Sequence, residues 1–184
     1  MRKISLVVVS VLMVFALAFS LVGCGNADER AIRNGLTDEF NKFKDPKSSL
    51  WQVEMKRELK EFADYGINTD DLINAWVKDF SFKVGTIKIN GNSATAEVSF
   101  TSRQFYPAFE AAMKRIEKED PANFSSEAQF YKKFGEFLIE ELNNQKPVTT
   151  NVVIPCTKSG TTWSEAAGAE NEYARALFGP EPKL

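Results

Sequence analysis

The sequence predicts an α+β fold in which a curved antiparallel sheet of about four strands is covered by helices, in a cone-like arrangement. Three observations predict it. Apolar residues recur at helical spacing through the first polar part of the chain, and the period then switches to two near residues 82–101. A helical pair and a second hairpin follow. N-terminal helices gathered apart from antiparallel strands suit α+β, and one sheet covered on one face would bury every apolar stripe.

The elements come in order. Met1-Arg2-Lys3 is basic, residues 4–22 are apolar apart from Ser5, Ser10 and Ser20, and Leu21-Val22-Gly23-Cys24 precedes an abrupt change to polar residues. The tetrad resembles the lipobox of bacterial lipoprotein precursors: an aliphatic residue, small residues, then cysteine. The resemblance implies cleavage between Gly23 and Cys24, and lipid on the Cys24 thiol. It divides the chain into a signal peptide (1–23), a lipidated tether (24–27) and one domain (28–184). An uncleaved transmembrane anchor would need about 20 apolar residues, and residues 4–22 are just long enough. A plain secretory signal would end in an Ala-x-Ala-like site. Neither accounts for a cysteine placed where apolar gives way to polar.

Ile32, Leu36, Phe40 and Phe43 predict a first helix over 28–44, stopped by Asp45-Pro46. Trp51, Met55, Leu59 and Phe62 predict a second, ending near Gly66. Thr69 reads as the cap of a third, with Leu72, Ile73, Trp76, Val77 and Phe80 along one side. Phe82, Val84, Ile87 and Ile89 then alternate with a phase shift at Gly85, which predicts a bulge. Asn90-Gly91-Asn92 reads as a hairpin turn. Beyond it Ala94, Ala96, Val98 and Phe100 share one strand face, while Thr95, Glu97, Ser99 and Thr101 share the other.

Tyr106, Phe109, Met113 and Ile116 predict a helix that halts at Asp120-Pro121. Ser126-Glu127-Ala128-Gln129 has the capping-box form and opens another, with Phe130, Phe134, Phe137, Leu138 and Leu142 inward. Pro147 starts a strand to about residue 157, with Val148, Val152, Ile154 and Cys156 in phase. Lys158-Ser159-Gly160-Thr161 turns the chain into Thr162-Trp163-Ser164, and a short helix over 169–178 closes it.

Composition narrows function. After residue 23 the chain has about the length of one domain, with ample core material in 15 Phe and 3 Trp. The 23 basic and 25 acidic residues form no basic block, which argues against a nucleic-acid partner. Of two cysteines, Cys24 is assigned to lipid, so Cys156 has no partner in the chain and reads as a small core residue. There is no histidine, which removes the Ser-His-Asp triad and most zinc sites. No metal and no cofactor is expected.

The strand over 148–157, the turn Lys158-Ser159-Gly160, Trp163, and Ala176-Leu177-Phe178-Gly179 give the C-terminal half its character. In these features the chain resembles small Gram-positive lipoproteins of unknown function that carry a nuclear-transport-factor-2-like (cystatin-like) domain. The resemblance implies an α+β cone. That fold hosts steroid isomerases, dehydratases, transport adaptors and plain binding modules, so it carries no residue role by itself.

Glu97 is the candidate general base if its strand face lines a cone, since desolvation would raise its pKa; a solvent-facing residue is the plainer reading. Trp51, Trp76 and Trp163 are candidates for an aromatic ligand wall, against a role in core packing. Asp70-Asp71 could hold a cation or simply favour a helix start. Lys114-Arg115-Ile116-Glu117-Lys118-Glu119-Asp120 reads as a solvated face. The expectation is a non-enzymatic binding module at the extracytoplasmic face of a bacterial membrane, at the cell surface in a Gram-positive host. Its partners would be the membrane, through Cys24, and a small apolar molecule, a peptide or an envelope protein. A cone-type isomerase or dehydratase using Glu97 and a nearby tyrosine, and an envelope scaffold or assembly factor, are the alternatives.

Overall fold

The computed structural model describes residues 18–20 and 26–180. Most of the expected signal peptide, the cleavage point after Gly23 and the lipid site at Cys24 lie outside the described residues.

Helix α1 (Asn26–Lys44) starts two residues before the predicted start at Asp28. Asp28 and Glu29 in its first turn and Lys42 and Lys44 in its last oppose the helix dipole. Ile32, Leu36, Phe40 and Phe43 are buried. The second stripe does not make one straight helix. It winds as a π-helical stretch (Leu50–Met55) and two short α-helical pieces (Lys56–Glu58, Lys60–Asp64), with Trp51, Met55, Leu59 and Phe62 still buried.

Helix α2 (Thr69–Val77) is capped by Asn68 rather than Thr69: its side-chain oxygen accepts from the backbone N–H groups of Asp70 and Asp71. Asn is among the strongest capping residues, and here it stands one position earlier than the predicted cap. Phe80 lies past the helix end, beyond Asp79 at φ 63°.

Strands β2 (Ser81–Asn90), β3 (Ser93–Ser102), β4 (Val148–Ser159) and β5 (Thr162–Glu165) form an open antiparallel sheet in the order β5-β4-β3-β2. A short strand β1 (Ala18–Ser20), from the end of the apolar leader, pairs along the outer edge of β5. Cleavage before Cys24 would remove β1 and leave β5 at the edge. The register shifts between Val84 and Ile87, as Gly85 predicts: a Cβ there would stand 3.3 Å from the Glu97 carbonyl oxygen. Gly91 turns the first hairpin at φ 60°.

Ala94, Ala96, Val98 and Phe100 of β3 meet Val152, Ile154 and Cys156 of β4 on the covered face, while Val148 at the start of β4 is exposed. Phe40 fills the space between α1 and the sheet, edge-on to Phe82, Phe100 and Tyr173 at centroid distances of 5.2, 4.7 and 5.9 Å.

Helices α3 (Phe105–Ile116) and α4 (Glu127–Asn144) leave and re-enter the sheet at the end where β3 stops and β4 starts. The buried Arg103 guanidinium pins that end. It donates to the carbonyls of Lys78, Leu142 and Asn143 and pairs with Asp79 at 2.6 Å. Helix α5 (Ala169–Tyr173) continues as a π-helical turn (Ala174–Phe178) and closes the core.

Candidate functional site

The α3–α4 pair carries more apolar surface than it buries. On α3, Phe105, Ala108, Ala112 and Ile116 are buried, and the neighbouring Tyr106, Phe109 and Met113 are only partly covered. The predicted stripe therefore sits to one side of the buried face. Asp120 stops the helix path by accepting from the Ala122 N–H, and Pro121–Asn123 makes one tight turn. Ser126 then caps α4 by accepting from the Gln129 N–H, while the Gln129 side chain accepts from Ser125. Along α4, Gly135 allows a close approach: a Cβ on it would lie 2.7 Å from Ile67. Mid-helix, α4 thus seats closely on the segment before α2, while the turn around Pro121–Asn123 joins the end of α3 to the start of α4.

Between those ends lies a groove of about 610 Å³. Its floor is Met113, Ile116, Phe124, Phe130, Tyr131 and Phe134, and its rim carries Glu117, Glu119 and Glu127. Phe124 stands edge-on to Phe130 at 5.4 Å, and Tyr131 lies against Tyr65 at 4.1 Å, so the floor is braced from behind. Volume and apolar lining fall in the range of small-ligand sites. Among the described residues none of the three rim carboxylates is in an ion pair, while Arg115 is committed to Glu140 and Glu141 at 2.6 and 2.8 Å. Burial raises the Tyr131 phenol above its ordinary pKa, and the nearby Glu127 adds to the shift.

No family model matches the chain, and no curated protein and no solved structure is found similar to it. Its own geometry therefore carries the functional reading.

The residues singled out in the sequence do not gather into one site. Glu97 is on the uncovered face of the sheet, its side chain 53 % exposed and 3.6 Å from Lys88. It lines a shallow, mixed-polarity depression with Lys83, Ser99 and Asn151. Glu97 thus takes the solvent-facing place that is the plainer reading of the sequence and not that of a base lining a cone, because this face has no helical layer over it. Trp51 and Trp76 pack together at 5.6 Å as core, with their indole N–H groups donating to the carbonyls of Phe43 and Leu177. Trp163 is buried apart from them, beneath the Lys158 ammonium at 5.6 Å from its ring. The three tryptophans do not form a shared ligand wall. Asp70 pairs with Lys56 at 2.7 Å, and among the described residues no cluster of three potential metal ligands occurs. Cys156 is a buried free thiol, with burial pushing its pKa up to about 12, so it is a poor nucleophile.

Besides Asp28, paired with Lys158, Glu39 is a buried carboxylate and Glu165 a partly buried one. Glu39 sits in phase with Leu36 and Phe43 on the buried face of α1, a signal legible in the sequence. One of its oxygens has no hydrogen-bond partner, and Lys42 reaches the other at 3.2 Å. Burial raises its pKa. Glu165 ends β5 and accepts a hydrogen bond from the Tyr173 hydroxyl. Burial pushes Glu165 up to about 8, although the tyrosine bond works in the opposite direction. Tyr173 is also raised, by burial first and then by Glu165. This pair links β5 to α5 across a stretch with no periodic signal.

Proposed function

We propose that the chain is a membrane-tethered, extracytoplasmic binding module that holds its ligand in the α3–α4 groove. The observation that supports this is the groove itself: an aromatic floor left open, in contrast to the rings closed around Phe40. The leader supplies the address, and the reading of Cys24 as its lipid site is part of the proposal. Lipid on Cys24 would place α1 and the two hairpin turns next to the bilayer. The Asp28–Lys158 pair holds the start of α1 to the β4–β5 turn, and the Lys158 N–H donates to the Asn92 carbonyl in the β2–β3 turn. The α3–α4 pair is rooted at the opposite end of the sheet, so its groove would be presented away from the lipid.

Photo-crosslinking tests the site. The full chain, reconstituted in neutral lipid nanodiscs, is exposed to apolar benzophenone probes and the modified residues are mapped by mass spectrometry. Saturable labelling at Met113, Phe124 or Phe130 that Phe130→Glu abolishes would support the groove. Labelling spread over the surface, or unchanged in that variant, would reject it. The address has its own test: Cys24→Ala should abolish incorporation of a labelled fatty acid and retain the leader.

A further inference from the structure

Resting on the groove reading, we infer that the occupant is a cationic, amphipathic peptide segment: apolar side chains seat on the aromatic floor and Lys or Arg side chains meet the glutamate rim. Three features point to this chemistry. The rim carries Glu117 and Glu119 at the α3 end and Glu127 at the start of α4; among the described residues none forms an ion pair, and Glu127 accepts from the Tyr131 phenol. An unpaired carboxylate beside an apolar floor attracts a cation more strongly than one in open water, because less solvent screens the pair.

The floor suits the same ligand. Aromatic faces accept cations, and this domain already uses that contact beside the groove, where the Arg115 guanidinium lies 4.0 Å from the Phe137 ring centre. An arginine entering the groove would meet Phe124 and Phe130 on its floor.

Geometry separates a peptide from a single-headed amphiphile. The acids stand on both banks, so full use of the rim needs at least two cations spaced across an apolar strip. A volume of about 610 Å³ holds several side chains rather than one. A trough walled by two helices is the form in which an amphipathic helix or short strand is recognised by its apolar anchors. An anionic ligand, nucleic acid included, would be repelled.

The test uses the full chain in neutral phosphatidylcholine nanodiscs and three fluorescent peptides with one apolar pattern, whose flanking positions are Lys, Gln or Glu. The Lys peptide is expected to bind about tenfold more tightly than the Gln peptide, with the advantage shrinking as salt rises. Glu117→Gln/Glu119→Gln/Glu127→Gln should erase that advantage, so that the Lys and Gln peptides bind alike. Equal binding of the Lys and Gln peptides, both lost in Phe130→Glu, would overturn the cationic preference and leave the groove reading standing. Peptide binding unaffected by Phe130→Glu would overturn both. A simple alkylammonium that matches the Lys peptide would overturn the peptide occupant.

Discussion

Two aromatic regions of this domain are built from the same kinds of residue and end differently. Between α1 and the sheet, Phe40, Phe82, Phe100 and Tyr173 meet edge to face, and the space is closed. Between α3 and α4, Phe124, Phe130 and Phe134 line a trough. The first set faces a sheet, whose regular surface lets a long helix lie across it. The second set lies along α4 and the turn before it, where Pro121 carries the chain away from α3. Apolar content alone therefore does not distinguish a core from a binding surface; what matters is whether a second element can reach the stripe.

The largest test of this contrast compares one ring from each region. Phe100→Ala should cost about 3–5 kcal/mol in urea unfolding, since the cavity lies in a closed cluster. Phe130→Ala should cost about 1 kcal/mol or less, because its ring is already partly exposed. Equal losses would mean that the groove is structural.

Next in size is the seat of α4. Gly135→Val should destabilise by about 1–3 kcal/mol, because its side chain would collide with Ile67. Adding Ile67→Ala should restore much of the loss. If the single variant is neutral, α4 is free to shift against Ile67 at that point.

The third test concerns the closed side. Folding raises the pKa of Glu165 from the ordinary 4.5 to about 8, so the folded state holds that proton more tightly than the unfolded chain does. Stability from this group is complete below about pH 4.5 and falls as pH rises toward about 8, beyond which it is flat. Glu39 acts in the same direction. Glu165→Gln keeps an acceptor for Tyr173 and should flatten the slope, adding on the order of 1–2 kcal/mol above pH 8. An unchanged slope would mean that Glu165 is solvated in both states.

The smallest effect belongs to the rim. Replacing Glu117, Glu119 and Glu127 by Gln should change stability by less than about 0.5 kcal/mol, since they make no ion pair among the described residues. A larger loss would show that the rim serves the fold.

The sequence makes the sheet legible in detail because period-two patterning leaves little freedom: the bulge at Gly85, the Asn90-Gly91-Asn92 turn and the inner face of β3 all follow from it. The 51–62 stripe reads as one helix because burial of Trp51, Met55, Leu59 and Phe62 needs only their rough spacing, which short pieces with a π-turn also satisfy. The site is harder to read. Tyr106, Phe109 and Met113 look like the buried face of α3, and only tertiary packing shows that Phe105, Ala108 and Ala112 take that place. Glu97 draws notice as a carboxylate on a strand, and the same phase that buries Ala94, Ala96, Val98 and Phe100 makes its solvent-facing place the plainer reading. Glu165 and Tyr173 stand in separate elements, and no local pattern joins them.

The ion pair between Asp28 and Lys158, at 2.8 Å and nearly closed to solvent, would set the mechanics of the domain if Cys24 carries the proposed lipid. Three residues separate that cysteine from Asp28, and two of them already belong to helix α1. A domain tethered so closely would not tumble freely; it would stand on the membrane like a post on a footing. A pull on the lipid would load the β4–β5 hairpin through Lys158 before it reached the helices. Because each charge of the pair cancels the other, the footing gains no attraction to anionic headgroups from Lys158. Staying at the surface would then depend on the acyl chains alone, and a partner in the groove would tug on a rigid handle.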